Sequence, residues 1–286
     1  MKTLLISTDF SDIATHAAEY GYNLAKQIKA DMILCNAVIV PAEIPQAGVV
    51  VWPMEEYNIL MEGSDNELKK LKEQLENDDS NGSFRPLIKI INETGIFTDV
   101  VNVIVADHKV DILIMGTHGT SGFSHFLLGD HSRKMIDCAI KPLLLIPPTA
   151  KIGPIKKIAF ATDFKQPEED LKAIYNLIPF VRPLNAEILL THVYNEKQHT
   201  SEFQEWVRQF LVDISNKANY PHIYYRMIKN SNTESGLNWL CEHGEVDMLA
   251  MVHRQHNFFD DLLKGSHTKK MADQIAIPLM VIPENS

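Results

Sequence analysis

Cysteine is scarce in this chain. Cys35, Cys138 and Cys241 lie far apart and form no CxxC pair, which argues against a disulfide framework and suits buried free thiols in a reducing compartment. Long apolar runs are also missing, and none approaches the length of a membrane span. The opening MKTLLISTDFSD reaches Asp9 after too short an apolar run for a signal peptide, so a cytoplasmic protein is expected. Positive charge is in deficit: 27 Lys and Arg stand against 37 Asp and Glu, a formal net charge of −10. That balance disfavours a broad nucleic-acid or anionic-membrane surface. Catalytic signatures are absent too, with no GxSxG elbow, no GK[ST] phosphate loop and no carboxylate pair that sequence can place. An enzyme is not expected.

What is present is a pattern written twice. At 286 residues, 45% hydrophobic and 22% charged, the chain has room for two soluble domains. The central stretch, Asp111 to Pro147, reads strand (Ile112 to Met115), glycine-bearing loop, helix, strand (Leu143 to Ile146). Before it come strands at Leu4 to Ser7, Met32 to Val40 and Leu87 to Ile91, with helices from Ser11 or Asp12, from Met54 to about Glu76, and from Phe97 to His108. Ala14, Ala17, Ala18, Gly21, Leu24, Ala25 and Ile28 form the packing face of the first helix. PPTAKIGP then reads as a linker, and the pattern restarts with strands at Lys157 to Thr162, Ile188 to Val193, Ile223 to Met227 and Val246 to Val252. The TDF triplets are 154 residues apart and the closing segments MIDCAIKPLLLIP and MADQIAIPLMVIP are 136 apart. The 18-residue difference is an insertion in the first half, in the 41–78 region. Strands alternating with helices imply parallel sheets covered on both faces. Two tandem doubly wound domains of α/β class are expected, over 1–148 and 153–286 with a linker at about 148–153.

Ligands of doubly wound sheets bind beyond the carboxyl ends of the strands, where strand order reverses. Asp9 ends strand one, and Gly116 and Gly119 follow strand four, with Gly129 just before a helix. The Asp9 carboxylate would accept ribose or base hydrogen bonds while main-chain amides of the glycine loop hold phosphate.

TDFSD, the G-x2-G-x9-G spacing of Gly116, Gly119 and Gly129, and the KPLLLIP ending together resemble the universal stress protein family in its nucleotide-binding form, as a tandem of two such domains. The resemblance implies five-stranded parallel sheets of Rossmann-like, adenine nucleotide alpha hydrolase-like type, with pairing of last strands between domains or subunits. It implies a bound ATP or related adenine nucleotide. By the same likeness Thr8, Asp9 and Ala37 line the adenosine pocket, Met115 and His118 the loop beside it, and Gly116, Gly119, Gly129 and Ser132 the phosphates. Partner expectations are a small-molecule nucleotide, an unidentified protein partner, a pseudo-dimer of domains and a homodimer. The alternative is a scaffold of the same fold that binds no nucleotide. Slow ATP hydrolysis is the most catalysis expected.

The departures from the family pattern are specific. Asp130 stands where Ser or Thr follows the last glycine, and its carboxylate would repel a triphosphate unless a cation such as Mg²⁺ intervenes. Ser132 is then the expected hydroxyl donor. In the second copy Gly265-Ser266 is intact, but Val252 and Gln255 replace the loop glycines, and a β-branched Val tolerates positive φ badly. That copy is expected not to bind ATP. Asp9 and Asp163 have helix N-caps as their plain structural reading. His118, His125, His131, His253, His256 and His267 fit no zinc spacing and are expected as solvated loop residues, with no metal site. Met115 and Met251 are expected in the core, the Lys69 to Glu76 run on a solvated helix face, and the apolar 39–52 loop over the first site or at a dimer surface.

Overall fold

The computed structural model describes residues 2–39, 54–77, 84–117, 129–194, 200–254 and 275–284, and structural statements concern these. The first half runs β1 (Thr3–Ser7), α1 (Asp12–Ile28), β2 (Asp31–Val38), α2 (Met54–Asn77), β3 (Ile88–Thr94), α3 (Phe97–Asp107), β4 (Ile112–Gly116), α4 (Asp130–Cys138) and β5 (Leu143–Ile146). The second runs β6 (Lys157–Ala161), α5 (Pro167–Leu184), β7 (Glu187–Tyr194), α6 (Ser201–Ala218), β8 (Ile223–Lys229), α7 (Thr233–His243), β9 (Met248–His253) and β10 (Leu279–Pro283). Among the described residues no helix is long and apolar enough to cross a membrane.

The strands form one ten-stranded sheet in the order β3-β2-β1-β4-β5-β10-β9-β6-β7-β8. The expected five-stranded units are therefore two halves of a single sheet. Their last strands pair antiparallel, with Leu144 opposite Met280, and every other pairing is parallel. β3 continues past the expected Ile91, because Asn92, Glu93 and Thr94 still pair with Asn36, Ala37 and Val38 of β2. Backbone pairing, not apolar patterning, sets the end of this edge strand. The 40–53 loop, which includes most of the apolar 39–52 segment, lies outside the described residues. α2 has 24 residues against 18 for its counterpart α6, in the region where the repeat offset puts the insertion.

Strand side chains alternate between two cores. Leu4 and Ile6 of β1 join the layer under α1, α2, α5 and α6, while Leu5 joins the layer under α3, α4 and α7. All seven expected α1 positions are buried. Gly21 lets that helix approach the sheet, since a Cβ there would sit 3.0 Å from Ile6 Cγ1. Lys69, Lys70, Glu73 and Glu76 of α2 are exposed, as the charge pattern predicts.

The repeat extends to individual bonds. Asp111 Oδ2 accepts from the Thr3 amide at 2.8 Å, and Asp247 Oδ2 accepts from the Lys156 and Lys157 amides at 2.7 and 2.9 Å. The 147–154 segment is fastened to α1: His16 Nε2 lies 3.0 Å from Ala150 O, and Gln27 Nε2 donates to Gly153 O at 3.0 Å. Another tie between the halves comes from proline chemistry. Pro183 inside α5 has no N–H, so the Pro179 carbonyl lacks its helical donor. The Lys2 ammonium donates to that carbonyl and lies 5.9 Å from the centre of the Phe180 ring. Burial lowers the Lys2 pKa, and the nearby Asp111 carboxylate pulls it back up.

Candidate functional site

In the first half the order reverses between β1 and β4, whose carboxyl ends splay around a cleft of about 200 Å³. Thr8, Asp9, Ala37, Met115, Gly116, Gly129, Asp130 and Ser132 all line it. His118 and Gly119 lie outside the described residues. Sequence reasoning missed Ser7, Ala14, Asn36, Phe97 and His131, which also line the cleft, as does Ile39 of the apolar segment expected over this site or at a dimer surface.

The β1 side is a tight turn. Thr8 Oγ1 accepts from the Phe10 amide at 2.9 Å, and Phe10 takes φ 63°, a left-handed conformation uncommon outside glycine. Asp9 is exposed; its Oδ1 accepts from the Ser11 amide at 3.1 Å and from the Ser11 hydroxyl at 2.6 Å. Ser11, not Asp9, is the N-cap of α1 and accepts from the Ala14 amide at 3.2 Å. Below the turn, Asn36 Nδ2 donates to Thr8 O at 2.7 Å, and the Ser64 hydroxyl of α2 lies 3.0 Å from Asn36 Oδ1. The cleft floor is thus held by a polar network reaching α2.

The opposite wall is the start of α4. Gly129 is its N-cap at φ −61° with no side-chain cap bond, so the first-turn amides have no partner from a capping side chain. Such a helix end attracts anions. The Gly129 amide donates to Thr117 O at 2.7 Å, and the buried Ser132 hydroxyl donates to Gly116 O at 3.0 Å. Ser132 therefore fastens α4 to the end of β4, and its proton is already committed. Asp130 and His131 are exposed, and His131 packs on Phe97 with ring centres 4.8 Å apart. A carboxylate and an imidazole thus both face the helix end that favours anions.

Gly116 needs its missing side chain for another reason than expected. Its φ is not positive; a Cβ there would meet Ile13 Cγ2 at 2.8 Å and Ile13 O at 3.2 Å. The constraint is the approach of α1 to β4, so the expectation that Val252 fails through positive φ is corrected: Val252 is an ordinary residue of β9. Asp163 is corrected as well. The N-cap of α5 is Gln166, without a side-chain bond, while Asp163 Oδ1 accepts from the Lys165 amide at 3.0 Å. The Thr162–Phe164 turn repeats the first one, with the Phe164 amide donating to Thr162 Oγ1 at 2.9 Å and φ 57° at Phe164.

Met115 and Met251 are both buried. His253 departs from its expectation: it is a buried strand residue whose Nε2 lies 3.5 Å from Asp137 Oδ1 of α4. His118, His125, His256 and His267 fall outside the described residues. Among the described residues no group of three or more His, Cys, Asp or Glu is placed to hold a metal ion. The three thiols are free, and burial raises each, Cys35 and Cys241 to about 12, which leaves little reactive thiolate.

Comparison with known proteins agrees with this architecture. Residues 1–147 match the model of the universal stress protein family. Two universal stress proteins of Methanocaldococcus jannaschii are 31% identical over 155 residues and 27% identical over 147; each alignment covers 51% of this chain, with 94% and 81% of the relatives. A universal stress protein structure from Archaeoglobus fulgidus superposes with a TM-score of 0.73 at 15% identity, over 99% of this chain and 98% of its own. That likeness establishes the fold across both halves.

Proposed function

The chain belongs to the universal stress protein family, and from that membership we propose that the cleft of its first half binds an adenine nucleotide, ATP or a close relative, in a stress response. The observation that carries this reading is the convergence of Thr8, Asp9, Ala37, Met115, Gly116, Gly129, Asp130 and Ser132 on one cleft against the amide end of α4. The base and ribose lie toward Asp9, Ala37 and Met115, and the phosphates toward Gly129. Asp130 makes the phosphate end less favourable for a triphosphate than the amides alone would be. Asp130 would hold a Mg²⁺ whose charge would offset that repulsion, so ATP is expected to bind more strongly with the cation. The halves act as two domains, near 1–148 and 153–286, forming a pseudo-dimer within one chain. Nucleotide occupancy changes a protein contact by favouring one arrangement around the cleft. A cytoplasmic, reducing setting fits the three free thiols.

Thermal unfolding with ATP, ADP or AMP, with and without Mg²⁺, tests the proposal. A ligand of the native state at about 100 times its Kd stabilises by about 2.7 kcal/mol and raises the midpoint. An unchanged midpoint at millimolar nucleotide, with nothing small released on denaturing the purified protein, would sink it.

A further inference from the structure

Register makes the two crevices comparable residue by residue. Leu4 lies beside Ile112 in the first half, as Ile158 lies beside Met248 in the second. Asp9 therefore corresponds to Asp163, His16 to Asp170, and His118 to Arg254. In the first half Asp9 is exposed at the edge of an open cleft. In the second the same carboxylate faces two cations of its own chain, Arg254 and Lys165, the latter with Nζ 3.2 Å from Asp163 Oδ2. Arg254 Nη1 lies 3.8 Å from Asp163 Oδ1, and Nη2 donates to Asp170 Oδ1 at 2.6 Å.

Asp170 is 1% exposed, and its second oxygen accepts from Thr162 Oγ1 at 2.5 Å. A carboxylate this far from water is strongly disfavoured without a cation and hydrogen bonds. Both are supplied here, one by Arg254 and one by the threonine of the repeated TDF turn. The turn is held from below by His192, whose Nδ1 lies 2.9 Å from Thr162 O, as Asn36 holds Thr8 in the first half. Phe164 packs on His192, Phe203 and Phe210 alongside. The guanidinium suits this place because its planar fork presents several donors to two separated carboxylates, which an ammonium does not.

We propose that the second crevice is a guanidinium-binding site whose resident occupant is Arg254. A side chain of this chain thus sits against both Asp163 and Asp170 in the second half. The corollary, one nucleotide per chain, rests on the function proposed above; the guanidinium site itself does not.

The test is chemical rescue in the full chain. Arg254→Gly lowers the unfolding midpoint. Guanidinium at low millimolar concentration, far below the denaturing range, restores part of the loss along a saturating curve, while equal sodium chloride or urea does not. The double variant Arg254→Gly/Asp170→Asn is not rescued. An unchanged midpoint in Arg254→Gly, or equal recovery with sodium chloride, overturns the proposal. If that variant does not fold, Arg254→Lys decides: a lower midpoint than the parent supports the forked contact, and an equal one overturns it. Titration of the parent with ATP separates the two readings. Two nucleotides per chain overturns the self-occupied crevice; none overturns the nucleotide function and leaves the rescue result standing.

Discussion

Substituting Gly116 by alanine distinguishes a glycine required by the fold from one required by a ligand. The added Cβ would lie 2.8 Å from Ile13 Cγ2, 3.2 Å from Ile13 O and 3.4 Å from Ile13 C. Carbon atoms at rest sit about 3.5–4.0 Å apart, so the methyl contact must open by about 0.7 Å or more. Ile13 is half-buried, and its side chain can swing. Its carbonyl cannot, being part of the first turn of α1, but there the excess is only a few tenths of an ångström. Overpacking of this kind costs about 1–3 kcal/mol. Relief by rotation puts Gly116→Ala near the lower end, a fall in midpoint of about 2–4 °C. Ile13→Ala removes the clashing methyl. The pair should then be less destabilised than the sum of the singles, with a coupling of about 1 kcal/mol in a double-mutant cycle. Because the new atom points at α1, Gly116→Ala should keep its ATP-induced midpoint rise. Additive singles, or a folded Gly116→Ala protein that no longer responds to ATP while the parent does, would refute the packing account and return this glycine to the ligand.

Other expectations follow from single contacts. Burial raises the Asp170 pKa despite Thr162 and Arg254, which pull it down. A carboxyl raised on folding contributes stability at acid pH and loses it as pH climbs through the folded value. Arg254→Met should therefore cost about 3–5 kcal/mol near neutrality and less at about pH 5, read from denaturant midpoints across pH; a penalty that grows on acidification contradicts this. Lys2→Met strips the Pro179 carbonyl of its donor and should cost about 1–3 kcal/mol in urea unfolding, with Lys2→Arg largely sparing it. Ser11→Ala removes the α1 cap and should cost about 1 kcal/mol by the same assay.

Much of the fold was legible because its signals are local and repeated. The seven small or apolar α1 residues follow helical spacing, and the TDF triplets recur because each half uses them for the same turn. Residues of the cleft that carry glycine or follow a strand were legible for the same reason. Phe97, His131 and Asn36 were not, since strand order alone brings the starts of α3 and α4 to β2. Asn36 did leave a trace, a polar side chain inside the apolar run of β2. Asp170 left a stronger one. It falls on the same helical stripe as Ala173, Ile174 and Leu177, where a charge demands a partner, but that partner lies 84 residues on. Gly116 shows the converse error. A glycine after a strand suggests an unusual φ, whereas the need arose from a helix lying against it.

The antiparallel seam between β5 and β10 reverses the strand direction halfway across the sheet. The tips of β1 and β4 consequently point one way and those of β6 and β9 the other, so the open cleft and the arginine-filled one look out from opposite rims of the molecule. The seam also consumes the β5 and β10 edges of the two halves, which leaves β3 and β8 as the outer strands of the described sheet.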